Sequence, residues 1–202
     1  MKHLKQICLL LVLTFAVTSF AQDAAKPAAS PAPQPAPTIA LVIDREVSII
    51  EKQLVDAAEA MPEDKFNFTP ESMKIPGSDY KTVRTFAQEV KHVATVNFML
   101  WSPLTGEKPP VDINKGNGPD SMTSKADIVK YLKDSYALGH RAAKSMTAEN
   151  VVAMVPSPFG AGQISRLFCA TFAVSHAFDH YGQSVEYLRM NGIVPPASRP
   201  QN

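Results

Sequence analysis

The chain has 202 residues, 45% of them hydrophobic and 19% charged, which suffices for one core in about one domain. With 20 basic against 19 acidic side chains the formal charge is +1, which argues against the basic face that a nucleic-acid binder turns toward phosphates. The same composition excludes an acidic disordered chain and a coiled-coil rod.

Residues 1–21 read as a secretory signal peptide. Lys2 and Lys5 form a basic start, residues 7–17 an apolar run, and Ser19-Phe20-Ala21 a small-residue cleavage site. The run is shorter than the ~20 residues of a membrane anchor, and Cys8 stands too early to be a lipoprotein cysteine. Cleavage after Ala21 removes two lysines, leaving 18 basic and 19 acidic groups, or −1, and leaves Cys169 as the single cysteine. The predicted location is periplasmic or secreted, with no stable membrane insertion after cleavage and no internal disulfide. Cys169, within the apolar stretch 164–174, reads as a buried small hydrophobe rather than a reactive thiol. Residues 22–38 alternate Pro and Ala, which neither donate helical hydrogen bonds nor bury much surface; they form an extended spacer. No arginine flanks a PxxP core, so a proline-rich docking ligand is the weaker reading. The domain then spans residues 39–202.

The predicted fold is all-α, a four-helix bundle with long inter-helix loops. The first helix, over 39–61, carries Val47, Ile50, Leu54, Ala58 and Met61 at steps of three and four, with Thr38 as a cap and Pro62 as a stop. A proline-rich stretch over 62–80 reads as an ordered loop pinned by Phe66 and Phe68. The second helix runs over 82–100 on a stripe of Val83, Phe86, Val90, Val93 and Asn97, and Pro103 ends it. Residues 102–122 hold four prolines and three glycines and are expected to be the most mobile segment. The third helix opens at Thr123 or Ser124 and continues through Ile128, Leu132, Ser135, Leu138 and Ala142 to about Met146. Residues 151–155 are a short apolar, extended run. The fourth helix, over 161–190, is the longest and most apolar and predicts burial on several sides, with Asn191-Gly192 closing it. Two long loops predict at least one crossover rather than simple up-down hairpins.

Four histidines follow the signal: His92, His140, His176 and His180. Four helical residues leave His176 and His180 about 40° apart on one face, a turn from each other. That is a way to present two imidazoles to one ion. His92, flanked by valines in the second helix, is positioned to face them across the bundle. An imidazole in an apolar setting needs a hydrogen-bond partner or a metal. On spacing alone both readings stand: a three-histidine metal site, or histidines bonded to their neighbours. The string His176-Ala177-Phe178-Asp179-His180 is not an inverted zinc-protease motif, since Asp replaces the required Glu. Asp179 and Gln183 are candidates to orient an imidazole, with Asp179 equally open to being an outward-facing solvated residue; Glu89 is a candidate general base or an ordinary surface carboxylate, and Trp101 and Tyr187 are candidates for a pocket wall or for core. His140, between Gly139 and Arg141, reads as structural or exposed rather than as a ligand.

Three stretches carry a family resemblance: residues 61–70 (MPEDKFNFTP), residues 86–94 (FAQEVKHVA), and residues 176–183 (HAFDHYGQ) running on through Glu186-Tyr187-Leu188-Arg189. Together they resemble the DinB-like family, described together with YfiT-type metal-dependent hydrolases, over nearly the whole of residues 39–200. The resemblance implies a four-helix bundle with a divalent metal ion (nickel, zinc or iron) held by His92, His176 and His180. It also implies a metal-dependent hydrolase or a thiol-dependent transferase, since characterised members include S-transferases and isomerases that use mycothiol or bacillithiol. Export disfavours thiol transfer, because it removes the domain from the reducing cytosol. The alternative is a non-catalytic metal- or ligand-binding module, and a third reading is an interaction domain without metal. The expected partners are a small-molecule substrate and a second copy in a homodimer, with no nucleic acid.

Overall fold

The computed structural model describes residues 36–200. The signal segment and most of the Pro/Ala spacer lie outside the described residues. Four helices dominate: α1 (Ile39–Ala60), α2 (Phe86–Thr105), α3 (Lys125–Lys144) and α4 (Arg166–Met190). α1 packs on α3 and α4, and α2 packs on the same two, so the order around the bundle is α1–α3–α2–α4. Among the described residues no helix is long and apolar enough to cross a membrane.

Side-chain contacts fix the helix directions. Tyr131, Ser135 and Gly139 of α3 meet Thr95, Asn97 and Trp101 of α2 in rising order, so α2 and α3 run parallel. Lys125 at the start of α3 donates to the Met61 and Glu59 carbonyls at the end of α1, while His140 meets Asp44, so α1 and α3 are antiparallel. Arg166 at the start of α4 donates to Leu104 O near the end of α2, and Tyr187 to Arg84 O before its start, so α2 and α4 are antiparallel. Parallel neighbours cannot be joined by a hairpin. The chain leaving α2 must travel back along about 30 Å of helix before α3 begins, which is why residues 106–124 are long. This is the predicted crossover.

That return strap is tied down, contrary to the mobility expected of it. The Lys91 ammonium, buried to 8% exposure, donates to Pro119 O at 2.8 Å and Met122 O at 3.4 Å. Gly118 has φ +70°, and a Cβ there would lie 2.8 Å from Thr95 Oγ1, so only glycine lets the strap lie this close to α2. The 61–85 loop is pinned by its phenylalanines as expected. Phe66 meets Phe86 edge-on at 5.4 Å and Phe68 meets Tyr187 at 5.8 Å. The carbonyls of Phe68 and Phe66 accept from Phe86 N and Ala87 N, filling two of the orphan donors at the start of α2.

Several boundaries differ from the sequence reading. α2 begins at Phe86, where Thr85 and Gln88 form a reciprocal capping box, and Val83 is left outside the helix and 39% exposed. Pro103 does not end α2 but sits in its last turn, and Gly106 at φ +77° closes it with its N–H on Ser102 O. α4 begins at Arg166 under a Ser165 cap. The residues before it form a short antiparallel hairpin of β1 (Met154–Pro156) and β2 (Gln163–Ser165). The extended run was legible, but its three-residue partner was too short to show a period. α4 is not buried all round, since Leu167 and Phe168 are 37% and 44% exposed. Trp101 and Tyr187 are core rather than pocket wall, at 1% and 7% exposure. Cys169 is buried and burial pushes its thiol up to about 11, so it is an inert apolar residue.

Candidate metal centre

The stripe that places Phe86, Val90 and Val93 in the core turns His92 toward α4, where His176 and His180 stand one turn apart. The Nε2 atoms of His92 and His176 are 3.2 Å apart, as are those of His176 and His180. One nitrogen from each of the three rings lies within 4.8 Å of the others. His180 is buried, and His92 and His176 are half-buried. Three imidazole nitrogens on a tetrahedral ion with bonds of about 2.0–2.1 Å would stand roughly 3.3–3.4 Å apart, so the spacing fits one ion.

The outer partner of His92 settles which of its nitrogens offers a lone pair inward. His92 Nδ1 is 2.7 Å from Gly116 O in the strap, and a carbonyl accepts only, so the proton is on Nδ1 and Nε2 presents its lone pair. Glu89 Oε2 lies 2.5 Å from His180 Nδ1, although the two are not aligned as a hydrogen bond. The carboxylate stands behind the His180 ring, whose Nε2 is the nitrogen turned toward His176. His176 Nδ1 is buried and has no partner among the described residues. The His92 lone pair and His180 Nε2 each stand 3.2 Å from His176 Nε2. A proton on His176 Nε2 can serve one of them; a cation satisfies all three nitrogens.

Electrostatics favour the neutral form of His92 and His176. Burial, with smaller contributions from the charges of His180, His92 and Arg84, pushes His176 down to about 3. Burial also lowers His92, against the opposing Gly116 bond, with Arg84 and His180 adding to the effect. Neutral imidazole is the form that ligates a metal.

The other predicted residues fall elsewhere. Asp179 is exposed and accepts from Gln183 Nε2 at 3.1 Å, so neither orients a ligand. The carboxylate beside a ligand ring is instead Glu89, 3% exposed and set behind His180 rather than at the surface. A signal for it was present: Glu89 falls on the apolar stripe between Phe86 and Val93, where an ordinary solvated carboxylate does not belong. The Gly116 carbonyl had no such signal, because a backbone group leaves no mark in composition. His140 is far from the three: its Nδ1 meets Asp44 Oδ1 at 2.7 Å and its Nε2 meets Glu51 Oε2 at 2.8 Å, joining α3 to α1.

The sequence pattern of the DinB superfamily matches residues 48–184, more than half of the chain. The fold is similar to the crystal structure of a DinB-like protein from Bacillus cereus ATCC 10987, with a TM-score of 0.56 and 13% sequence identity over 76% of this chain and 93% of that one. Among curated proteins none matches the chain. The region matched by the family includes His92, His176 and His180 together with α2 and most of α4, and the chain belongs to the DinB superfamily.

Proposed function

We propose that the protein is an exported metalloprotein that holds one divalent ion, nickel, zinc or iron, on His92, His176 and His180, and acts on a small molecule as a hydrolase or transferase. The observation that carries this reading is the pair of 3.2 Å Nε2 separations, with the His92 lone pair directed inward by Gly116 and a carboxylate, Glu89, behind His180. Bound there, the ion supplies Lewis acidity, lowering the pKa of a coordinated water or thiol toward neutrality. The chain's own contributions are to keep His92 and His176 neutral, to fix the His92 ring from behind through Gly116 O, and to set the Glu89 carboxylate behind His180. Export is supported by the basic start, apolar run and small-residue cleavage site of residues 1–21.

Glu89 faces the back of His180 and so is not a base acting at the Nε2 side. That placement favours a second reading, a non-catalytic module in which the ion ties α2 to α4. The test begins with metal analysis of the purified protein free of affinity histidines, beside His92→Ala and His180→Ala. About one ion per chain in the parent and almost none in either variant supports the assignment; metal retained by both variants overturns it. The visible spectrum of the cobalt-substituted protein then separates the readings. A spectrum that shifts with added azide marks an open coordination position, as an enzyme requires, and an unchanged one favours the module.

A further inference from the structure

The fourth helix carries its two ligands on a ridge that passes from solvent into the core. Sampled every fourth residue, that ridge reads Phe168, Phe172, His176, His180 and Ser184. Phe168 is 44% exposed, Phe172 and His176 are half-buried, and His180 and Ser184 are buried at 7% and 0%. Beyond His180 the ridge is closed. The Ser184 hydroxyl donates to His180 O at 2.9 Å, Glu89 stands behind the ring, and Tyr187 packs against Phe68 and Phe86. Before His176 the ridge instead rises to the surface, so on α4 the approach to the ligands is from the Phe172 side.

That approach is aromatic. The Phe172 ring lies 5.9 Å from that of His176, centroid to centroid. Phe168 stacks on Phe172 at 5.4 Å with planes 9° from parallel, and Phe159, from the turn of the β-hairpin, meets Phe172 edge-on at 5.8 Å. Phe159 is itself 54% exposed. The chain that builds this surface is also nearly free of charge. Over residues 150–178, which span the hairpin and α4 as far as the ligands, Arg166 is the one residue among Asp, Glu, Lys and Arg. Its guanidinium is spent on Leu104 O at 3.0 Å and Ser145 Oγ at 2.7 Å.

We infer that the molecule handled at the metal centre carries a neutral, flat apolar group beside its reacting atom, an aryl ring being the plainest case, and that this group lies against Phe172, Phe168 and Phe159. This rests on the metal-site reading above and names the class of substrate for that site. Two observations select the class. Aromatic rings pack offset or edge-on more favourably than their area alone accounts for, and Phe172 already has one neighbour of each kind. A charged group on the same surface would give up water without a counter-charge from residues 150–178 to replace it. Continuity with a ligand ring is what favours a small molecule here over a second copy of the chain, and the experiment separates the two.

The test is titration of the cobalt-loaded protein, followed by its visible spectrum, with acetohydroxamate, benzohydroxamate and 4-carboxybenzohydroxamate. These chelating probes differ only in what stands beside the chelating oxygens. The parent is compared with the double variant Phe159→Ala/Phe168→Ala, which alters two exposed rings. The parent is expected to bind benzohydroxamate about tenfold more tightly than acetohydroxamate, and the 4-carboxy probe should lose that advantage. In the variant the ratio should fall toward one with acetohydroxamate binding unchanged, which also certifies its fold and its ion. Equal affinities in the parent, a 4-carboxy probe as tight as benzohydroxamate, or a tenfold ratio kept by the variant overturns the inference. If that variant also sediments as a smaller species than the parent, the strip is a contact between copies. Failure of the metal reading is separately visible: a parent that takes up no cobalt, or whose spectrum acetohydroxamate leaves unchanged, overturns that reading and this inference with it.

Discussion

Two histidine clusters in this molecule are built in opposite ways. At His92, His176 and His180 the nitrogens face one another, and burial drives His176 down to about 3. At His140 both nitrogens face carboxylates. Burial alone would lower that ring too, but the hydrogen bonds and charges of Glu51 and Asp44 outweigh it and raise its pKa. One cluster is a set of nitrogen donors turned toward one another; in the other the imidazolium is itself the cation. The same side chain serves either purpose, and what decides is whether its neighbours are lone pairs or carboxylates.

Metal content breaks this comparison most sharply. His92→Ala or His180→Ala is expected to take the ion from about one per chain to nearly none, while His140→Ala leaves it unchanged. Elemental analysis after gel filtration measures this. At a thousandfold excess over Kd a bound ion adds about 4 kcal/mol of stability. Zinc should therefore raise the Tm of the parent and of His140→Ala, but not that of His180→Ala. Zinc lost from His140→Ala would mean that the two clusters are not separate.

The next effect in size concerns the carboxylate behind His180. Glu89→Gln keeps the shape and removes the charge, and should weaken zinc about 10- to 100-fold in competition with a chelator. An unchanged affinity would show that Glu89 is merely accommodated beside the ring. The strap gives a smaller effect by a longer route. Gly118→Ala forces a left-handed residue to carry a Cβ 2.8 Å from Thr95 Oγ1, costing about 1–2 kcal/mol in urea unfolding. Because the same strap carries the Gly116 carbonyl, zinc affinity should fall as well, whereas the His140 clamp should be untouched.

How much of this the sequence disclosed depends on what carries the information. The helices were legible because Val47, Ile50 and Leu54, or Ile128 and Leu132, repeat a 3.6-residue period over five turns or so. The HxxxH pair was legible for the same reason, and His92 through its valine-flanked position. The parallel course of α2 and α3 was not, since helix direction is set by contacts such as Asn97 with Ser135 that lie 38 residues apart. Pro103 misled because a proline in the last turn forfeits a single bond there, while Gly106 supplies the actual stop. Glu89 was misread because it was weighed as a lone carboxylate instead of as a member of the buried stripe. Asp179 misled in the opposite sense, by adjacency: the residue before His180 points about 100° away from it around the helix.

The smallest expected effect gives the finest test of the contrast, because the two clusters should respond to pH with opposite sign. The folded-state pKa of His140 is raised, so its contribution is fully present below the unfolded value of about 6.5 and is lost as pH rises through the folded value. His176 is lowered to about 3. Without metal, the unfolded chain therefore binds more protons between about 6.5 and 3, and stability falls as pH drops through that window. Urea unfolding of the chelator-treated protein reads both trends. His140→Ala should cost about 1 kcal/mol at pH 6 and less at pH 9, because the cationic clamp it removes is present only at the lower pH. His176→Leu should flatten the decline between pH 7 and 5, since leucine takes up no proton. If the two variants changed the pH dependence in the same direction, the assignment of one cluster as neutral donors and the other as a cation would be wrong, whatever the metal analysis had given.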